Sequence, residues 1–333
     1  MNGTNDTDLQ PGTTPGPVRL MATPTPLEEA PRLAAALGLA PDQLLLKRDD
    51  LGGVGAGGNK LRKLEVLCAE ATAAGARTLV TTGAAQSNHA RATAAVGARL
   101  GFDVVLVLAG HPPQHPARGN LLIDELCGAT VLWAGERSLA VAADEAVAAL
   151  AVKDARPFLV PYGGSSATSI AGYAICAHEL LATRRDLAEV WCAVGSGGTM
   201  AGLVSVLGPA RVVGVDTGAT SDGRAAVHRL LDAAGHHVDA DDLRLVEDQV
   251  GEGYGRLSDG VHDAVRLLAR TEGVIVDGTY VGRAAAGLAA AARAGTLPDG
   301  PVVLLHSGGL PGLLGHPDLL DEIPEAARPH PAG

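Results

Sequence analysis

The sequence predicts an α/β protein built as two open three-layer α/β/α domains with largely parallel sheets. Three observations carry this. Alanine- and leucine-rich stretches of helical length alternate along the chain with short β-branched runs. Those runs are apolar throughout rather than alternating, as strands covered by helices on both faces are. Several end in glycine and lead into turns rich in small hydroxyl residues. The strand count is high for one sheet, hence two domains.

Taken in order, residues 1–17 are rich in Thr, Gly, Pro and Asp and read as a loosely packed tail, as do 326–333. Helices are expected over Pro31–Leu39, Lys60–Ala74, Ser87–Leu100, Asn120–Leu126 and Leu139–Ala151. Further ones are expected over Ala167–Thr183, Thr199–Leu207, Arg224–Ala234, Asp259–Thr271 and Val281–Ala294. The strand-like runs are "TLVTTG", "DVVLVLAG", "ATVLW", "PFLVPYG", "EVWCAVGSGG", "RVVGVD", "GVIVDG" and "VVLLHSGG". In open parallel sheets a ligand sits beyond the carboxyl ends of the strands. The turns there read "TTGAAQSNH", "PYGGSSATS", "AVGSGGTMAG", "DGTYVGRA" and "HSGGLPG", which together suggest one polar pocket able to accept an anion.

Composition narrows the function. Of 333 residues 47% are hydrophobic but only 2% aromatic, so the core is built from Ala, Val and Leu. A formal net charge of −11 argues against nucleic acid and anionic membrane surfaces as partners, since both need clustered Lys and Arg. The scarcity of aromatics removes base-stacking platforms as well. Cys68, Cys127, Cys176 and Cys192 are far apart and form no CxxC pair, which suggests buried small hydrophobes and no metal site or disulfide framework. The first residues lack an apolar leader and no run reaches membrane-spanning length, so a cytoplasmic protein is expected.

Three motifs carry chemistry. In "GSGGT", Ser196, Gly197, Gly198 and Thr199 follow a strand and open a helix, where free amides and the helix dipole favour a phosphate; a tight turn without ligand is the alternative. In "GGNKLRKLE", Lys60 opens a helix after two glycines, and Lys63 follows one turn later. Lys60 reads either as a surface helix residue or as a buried amine for Schiff-base chemistry. In "QSNHA", Gln86, Ser87, Asn88 and His89 stand at a helix start, as capping residues or as a seat for a carboxylate. His89 reads equally as a ring packed over a flat cofactor or as a capping or surface residue.

The order of these motifs, with "LLLKRDDLGG", "GNLLIDELCGA", "PYGGSSATSIAGY", "EGYG", "RTEGVIVDGTYVGRAAAGL" and "HSGGLPGLLG", resembles the pyridoxal-phosphate enzymes of the tryptophan-synthase-β fold type. Within them the chain is similar to the family that joins D-cysteine desulfhydrase and 1-aminocyclopropane-1-carboxylate (ACC) deaminase. The likeness runs from about Arg19 to Gly315. It implies pyridoxal 5'-phosphate in a cleft between the two domains, a large one over 18–62 plus 173–325 and a small one over 63–172. It implies that Lys60 carries the cofactor as a Schiff base. Lys63 and the Ser196–Thr199 loop then hold its phosphate, Asn88 faces its 3'-oxygen and Ser307 stands at the pyridine nitrogen. Ser87, with Gln86 and His89 beside it, receives the substrate carboxylate and has a possible second role as nucleophile. Tyr254 and Tyr280 line the substrate side. A homodimer is implied by the relatives alone.

The activity this implies is α,β-elimination from a small β-substituted amino acid, giving a keto acid, ammonia and the leaving group, with D-cysteine as the leading substrate. ACC deaminases carry a glutamate where this chain has Val281 and a leucine where it has Ser307. Ring opening of ACC is therefore disfavoured, although Val281 and Thr279 also depart from the desulfhydrase pattern. Cysteate lyase activity, a β-replacement synthase and a binding protein that has lost turnover are the other readings.

Overall fold

The computed structural model describes residues 18–316, so the expected tails at 1–17 and 326–333 lie outside the described residues. Ten strands are described: β1 (Leu27–Glu29), β2 (Leu44–Arg48), β3 (Thr78–Gly83), β4 (Asp103–Leu108), β5 (Thr130–Trp133), β6 (Pro157–Leu159), β7 (Glu189–Val194), β8 (Val212–Asp216), β9 (Arg244–Val246) and β10 (Val302–His306). They form a six-stranded sheet of order β1-β2-β10-β7-β8-β9 and a four-stranded sheet of order β5-β4-β3-β6. Every pairing is parallel except that of β1 with β2.

The predicted three layers are present, and the strands show why. Leu44 and Leu46 enter one hydrophobic cluster while Leu45 enters the other; Val302 and Leu304 likewise face away from Val303 and Leu305. The first cluster is covered by the helices Pro31–Ala36, Asp259–Glu272 and Val281–Arg293, and the second by Ala171–Thr183, Gly198–Leu207 and Gly223–Ala233. A strand covered on both faces has no polar side, which is the pattern its sequence carries.

Strand order then places the site. In the large sheet the chain steps from β7 to β8 to β9 on one side, while β10 returns to the other side of β7. In the small sheet it steps from β3 to β4 to β5, while β6 returns beside β3. The turns after β7, β10 and β3 thus leave the sheets at points of reversal, where helices on opposite faces part and open a crevice. Those turns are "GSGGT", "HSGG" and "AAQSNH".

The segment "GVIVDG", 273–278, corrects the expectation of a strand. It alternates buried Val274 and Val276 with exposed Ile275 but joins no ladder. It lies by the end of β10, where the Ile275 carbonyl meets His306 Nε2 at 3.0 Å, and both edges of β10 are already taken by β2 and β7. The short strands β1, β2 and β9 and the helix Leu310–Gly315 were not predicted.

A buried ion network anchors the first turn of the helix Lys60–Ala73. The Arg62 guanidinium donates to both Asp49 oxygens at 2.8 Å and to both Glu179 oxygens at 2.9 Å. Tyr173 and Thr25 hydroxyls donate to Asp49 at 2.6 and 2.8 Å, and Lys47 Nζ reaches Glu179 at 2.6 Å. Burial alone would raise the Asp49 pKa, but Arg62 and the two hydroxyls outweigh it and hold the carboxyl below its usual range. A depressed carboxylate contributes stability above its unfolded pKa and loses it as pH falls. We expect Asp49→Asn to cost about 3 kcal/mol at neutral pH, leaving buried Arg62 and Lys47 to share the single carboxylate of Glu179. In urea unfolding the gap from the unchanged protein should narrow as pH drops below roughly 4.

Candidate active site

Lys60 is placed by a close approach of two turns. Gly58 has φ 104°, and a β-carbon there would stand 2.9 Å from the Ser307 carbonyl oxygen, so only glycine lets the turns meet. The Asn59 amide donates to that same oxygen at 2.9 Å, and its side-chain Nδ2 donates to Thr199 Oγ1 at 3.0 Å. Three turns from distant parts of the chain are thereby tied around one cavity. Lys60, Asn88, Thr199, Tyr280, Ser307 and the turn Gly195–Gly197 line it.

The electrostatics of this cavity are lopsided. Lys60 and Lys63 lie in contact beneath it, and neither has an ion pair among the described residues. Burial pulls the Lys60 amine down to about 8, with its bond to Lys63 pulling the other way. Burial and the Lys60 charge hold Lys63 well below the ordinary lysine range. Opposite them the helix Gly198–Leu207 opens with Gly197 at φ 86°, turning free backbone amides to the same space. Two adjoining lysines without a carboxylate, sharing positive charge, and a helix N-terminus with no acidic residue in its first turn call for an anion. A partly neutral amine in the same wall suits an aldehyde, so the residues fit pyridoxal phosphate. Lys63 stands one layer back. Its Nζ donates to the Gly163 carbonyl at 2.5 Å and to Ser165 Oγ at 3.0 Å, and Ser165 Oγ lies 2.8 Å from Ser196 Oγ.

A second cavity adjoins the first through Lys60, Ser196 and Tyr280, with Ser87, His89, Tyr162 and Tyr254 on its other walls. Ser87 caps the helix Asn88–Leu100, its Oγ accepting from the Ala90 amide at 3.1 Å, which leaves earlier amides open to a carboxylate. His89 Nε2 lies 2.9 Å from Thr81 Oγ1, and that hydroxyl donates to the Val160 carbonyl at 3.0 Å. Burial and the two lysines keep this imidazole neutral. The Tyr254 and Tyr280 hydroxyls lie 2.7 Å apart, their rings edge to face at 5.9 Å. Burial pushes Tyr254 up to about 12 and Tyr280 well above the usual phenol range, so both stay protonated at neutral pH.

The structure thus gathers Lys60, Ser87, Asn88, His89, Ser196, Gly197, Thr199, Tyr254, Tyr280 and Ser307 around adjoining cavities. Gly198 opens the helix Gly198–Leu207. Gln86 is not brought to either cavity: its amide accepts from Asn120 N at 2.9 Å and donates to the Arg118 carbonyl at 3.0 Å. Val281 is buried in the large-sheet core, so its departure from the family pattern removes nothing from the lining. Sequence reasoning missed three supporting residues. Asn120 donates to Asn88 Oδ1 at 3.0 Å, which leaves the Asn88 NH2 as the donor for the cavity. Asp277, pushed up to about 6 by burial, accepts from the Tyr280 and Val281 amides at 3.2 and 3.1 Å. Arg283 is the third. Of these only Asn120 left a trace in the sequence, as a polar residue opening a helix in "GNLLIDELCGA".

Comparison with known proteins agrees with this chemistry. A family model described as pyridoxal-phosphate dependent enzyme matches residues 18–308. A D-cysteine desulfhydrase of Klebsiella pneumoniae is 36% identical over 320 residues, which cover 91% of this chain and 97% of that protein. A D-cysteine desulfhydrase of Salmonella typhi is 36% identical over 322 residues, covering 90% and 95%. A crystal structure of an ACC deaminase homologue has a TM-score of 0.82 at 31% identity, covering 91% of this chain and 95% of that one. A threonine deaminase isoform 2 from Solanum lycopersicum shares the fold, with a TM-score of 0.59 at 22% identity over 86% and 80%.

The depressed Lys60 amine has a direct readout. Its rate of reductive methylation with formaldehyde, followed by peptide mass spectrometry on cofactor-free protein, should rise with pH and level off near 8. An ordinary surface lysine keeps rising to above roughly 10.

Proposed function

This chain belongs to the family of pyridoxal-phosphate-dependent enzymes, and we propose that within it the protein removes a neutral β-substituent from a small amino acid, with D-cysteine as the substrate its site fits best. The protein is a pyridoxal-phosphate lyase of the desulfhydrase and deaminase kind. Similarity to D-cysteine desulfhydrases supports the D-form, and the lining of the second cavity supports a neutral β-substituent. Apart from Lys60 its walls carry hydroxyls, small residues and a neutral imidazole. Ser87 and the open helix amides can receive one carboxylate, but no further cation stands ready for an anionic side chain. A thiol fits such walls; the sulfonate of cysteate would be buried without a counter-charge.

Bound pyridoxal phosphate supplies an electron sink for the bonds at the amino acid's α-carbon. The chain's own residues do the rest. Lys60 Nζ, partly neutral near pH 8, holds the cofactor and takes up the α-proton as general base. Asn88, its Oδ1 held by Asn120, would offer its NH2 to an oxygen of the bound cofactor. The Tyr254 and Tyr280 hydroxyls remain protonated and share a 2.7 Å contact, so either can donate a proton to the departing sulfur. Ser307 offers a neutral hydroxyl at the cavity wall, which suits departure of a good leaving group better than opening of a carbon ring. The atoms balance as D-cysteine and water to pyruvate, ammonia and hydrogen sulfide.

The proposal includes a small domain over 63–172, a range that contains all four strands of the smaller sheet. It includes a cytoplasmic homodimer. Four cysteines without disulfides suit a reducing compartment, and exposed Leu310 and Leu314, four residues apart on one helix, offer apolar contact area. Among the described residues no helix is long and apolar enough to cross a membrane.

The test is keto-acid release from D-cysteine, L-cysteine, 3-chloroalanine, cysteate and ACC, with and without added thiols. D-Cysteine and 3-chloroalanine should turn over, with cysteate and ACC at background and thiols without effect. Lys60→Ala should lower kcat at least about 10³-fold. Preference for cysteate or ACC would overturn the reading, and trapping of a thiol adduct would favour a replacement synthase.

A further inference from the structure

We propose that Arg283 is the positioning residue that seats Tyr254, acting as an internal cation caged by the backbone of the loop that carries it. This rests on the reading of Tyr254 as part of the substrate site.

The loop is residues 247–258, between β9 and the helix Asp259–Glu272, and it contains neither helix nor strand. Gly251, Gly253 and Gly255 surround Tyr254, so the segment is costly to order. Its own backbone bonds amount to two turns, Gly253 N to Val250 O and Arg256 N to Gly253 O. Yet the Tyr254 hydroxyl must be held 2.7 Å from that of Tyr280.

Arg283 supplies what the loop lacks. It stands three residues after Tyr280, in the first turn of the helix Val281–Arg293, and its side chain is fully buried. Nη1 donates to the Thr217 and Val250 carbonyls at 2.9 and 3.0 Å. Nη2 donates to those of Gly253, Tyr254 and Arg256 at 2.8, 3.2 and 2.8 Å. Five carbonyl oxygens, four of them from the loop, converge on one guanidinium that has no ion pair among the described residues. Left without a donor these buried carbonyls would each carry a desolvation cost, and one guanidinium answers all five. Helix, cation and loop therefore form one unit: Tyr280 and Arg283 both project from the helix start, one to meet the Tyr254 hydroxyl and the other to grip the Tyr254 backbone.

The experiment uses the cofactor-loaded protein and Arg283→Ala, with Arg283→Gln as a second variant that keeps hydrogen bonding but drops the charge. The first readout needs no substrate: amide hydrogen exchange over 247–258 and tryptic cleavage after exposed Arg256. Both should speed up by at least about tenfold in each variant, while the cofactor's visible absorbance and affinity stay unchanged. Where D-cysteine turnover is present, kcat should fall by about tenfold or more, and millimolar guanidinium ion should restore part of it in Arg283→Ala and nothing in the unchanged protein. If D-cysteine is not turned over by the unchanged protein, the substrate reading fails while the loop result still decides the role of Arg283. Loop protection equal to the unchanged protein in both variants would overturn the proposal. So would a turnover loss that tracks a loss of cofactor affinity and melting temperature and that guanidinium leaves unrelieved. Should Arg283→Ala fail to fold, the loop exchange of Arg283→Gln decides in the same two directions.

Discussion

The bidentate pairing of Arg62 with buried Asp49 is the contact on which the site rests. It locks the end of β2, the helix Ala171–Thr183 and the helix that starts at Lys60 into one rigid corner. Its cations are all matched, Arg62 and Lys47 by Asp49 and Glu179. On the same helix, Lys60 and Lys63 are left unmatched. Burying lysines is costly, and a fold can leave two side by side without a carboxylate only where neighbouring structure is stiff enough not to collapse onto them. The matched corner provides that stiffness, and the unmatched pair defines the polarity of the ligand that completes it.

Sheet topology explains why residues so far apart in sequence share one space. Each sheet reverses its winding once, and the turns at those reversals carry the glycines and hydroxyls. The Asn59 bonds to Ser307 and Thr199 then tie two of these turns together. Glycine then sets how closely: Gly58 allows the lysine-bearing turn to pass a carbonyl at a distance no other residue tolerates.

Much of this was legible because burial on both faces writes itself into a strand as an unbroken apolar run, as in "TLVTTG" and "VVLLHSGG". The run "GVIVDG" shows the limit of that signal. Apolar residues record that a segment is buried, not that a strand edge is free to receive it. The placement of the lining was legible where it is local to a turn, as for Lys60, Ser87 and Thr199. It was not legible where the role is tertiary. Gln86 looked like a substrate ligand and instead holds Asn120, while Val281 looked like a change in the pocket and lies in the core. Asp277 and Arg283 act on backbone groups brought to them by the fold, and no spacing in the sequence records that.

The tyrosine pair has one more consequence. The chain contains four tyrosines and two tryptophans, and two of those six chromophores meet with their rings 72° apart. Rings held this close in one fixed arrangement within a chiral fold couple to each other. Near-ultraviolet circular dichroism of the protein should therefore be dominated by a few fixed rings, giving an intrinsic optical gauge of whether the two phenols are in register, with no label attached.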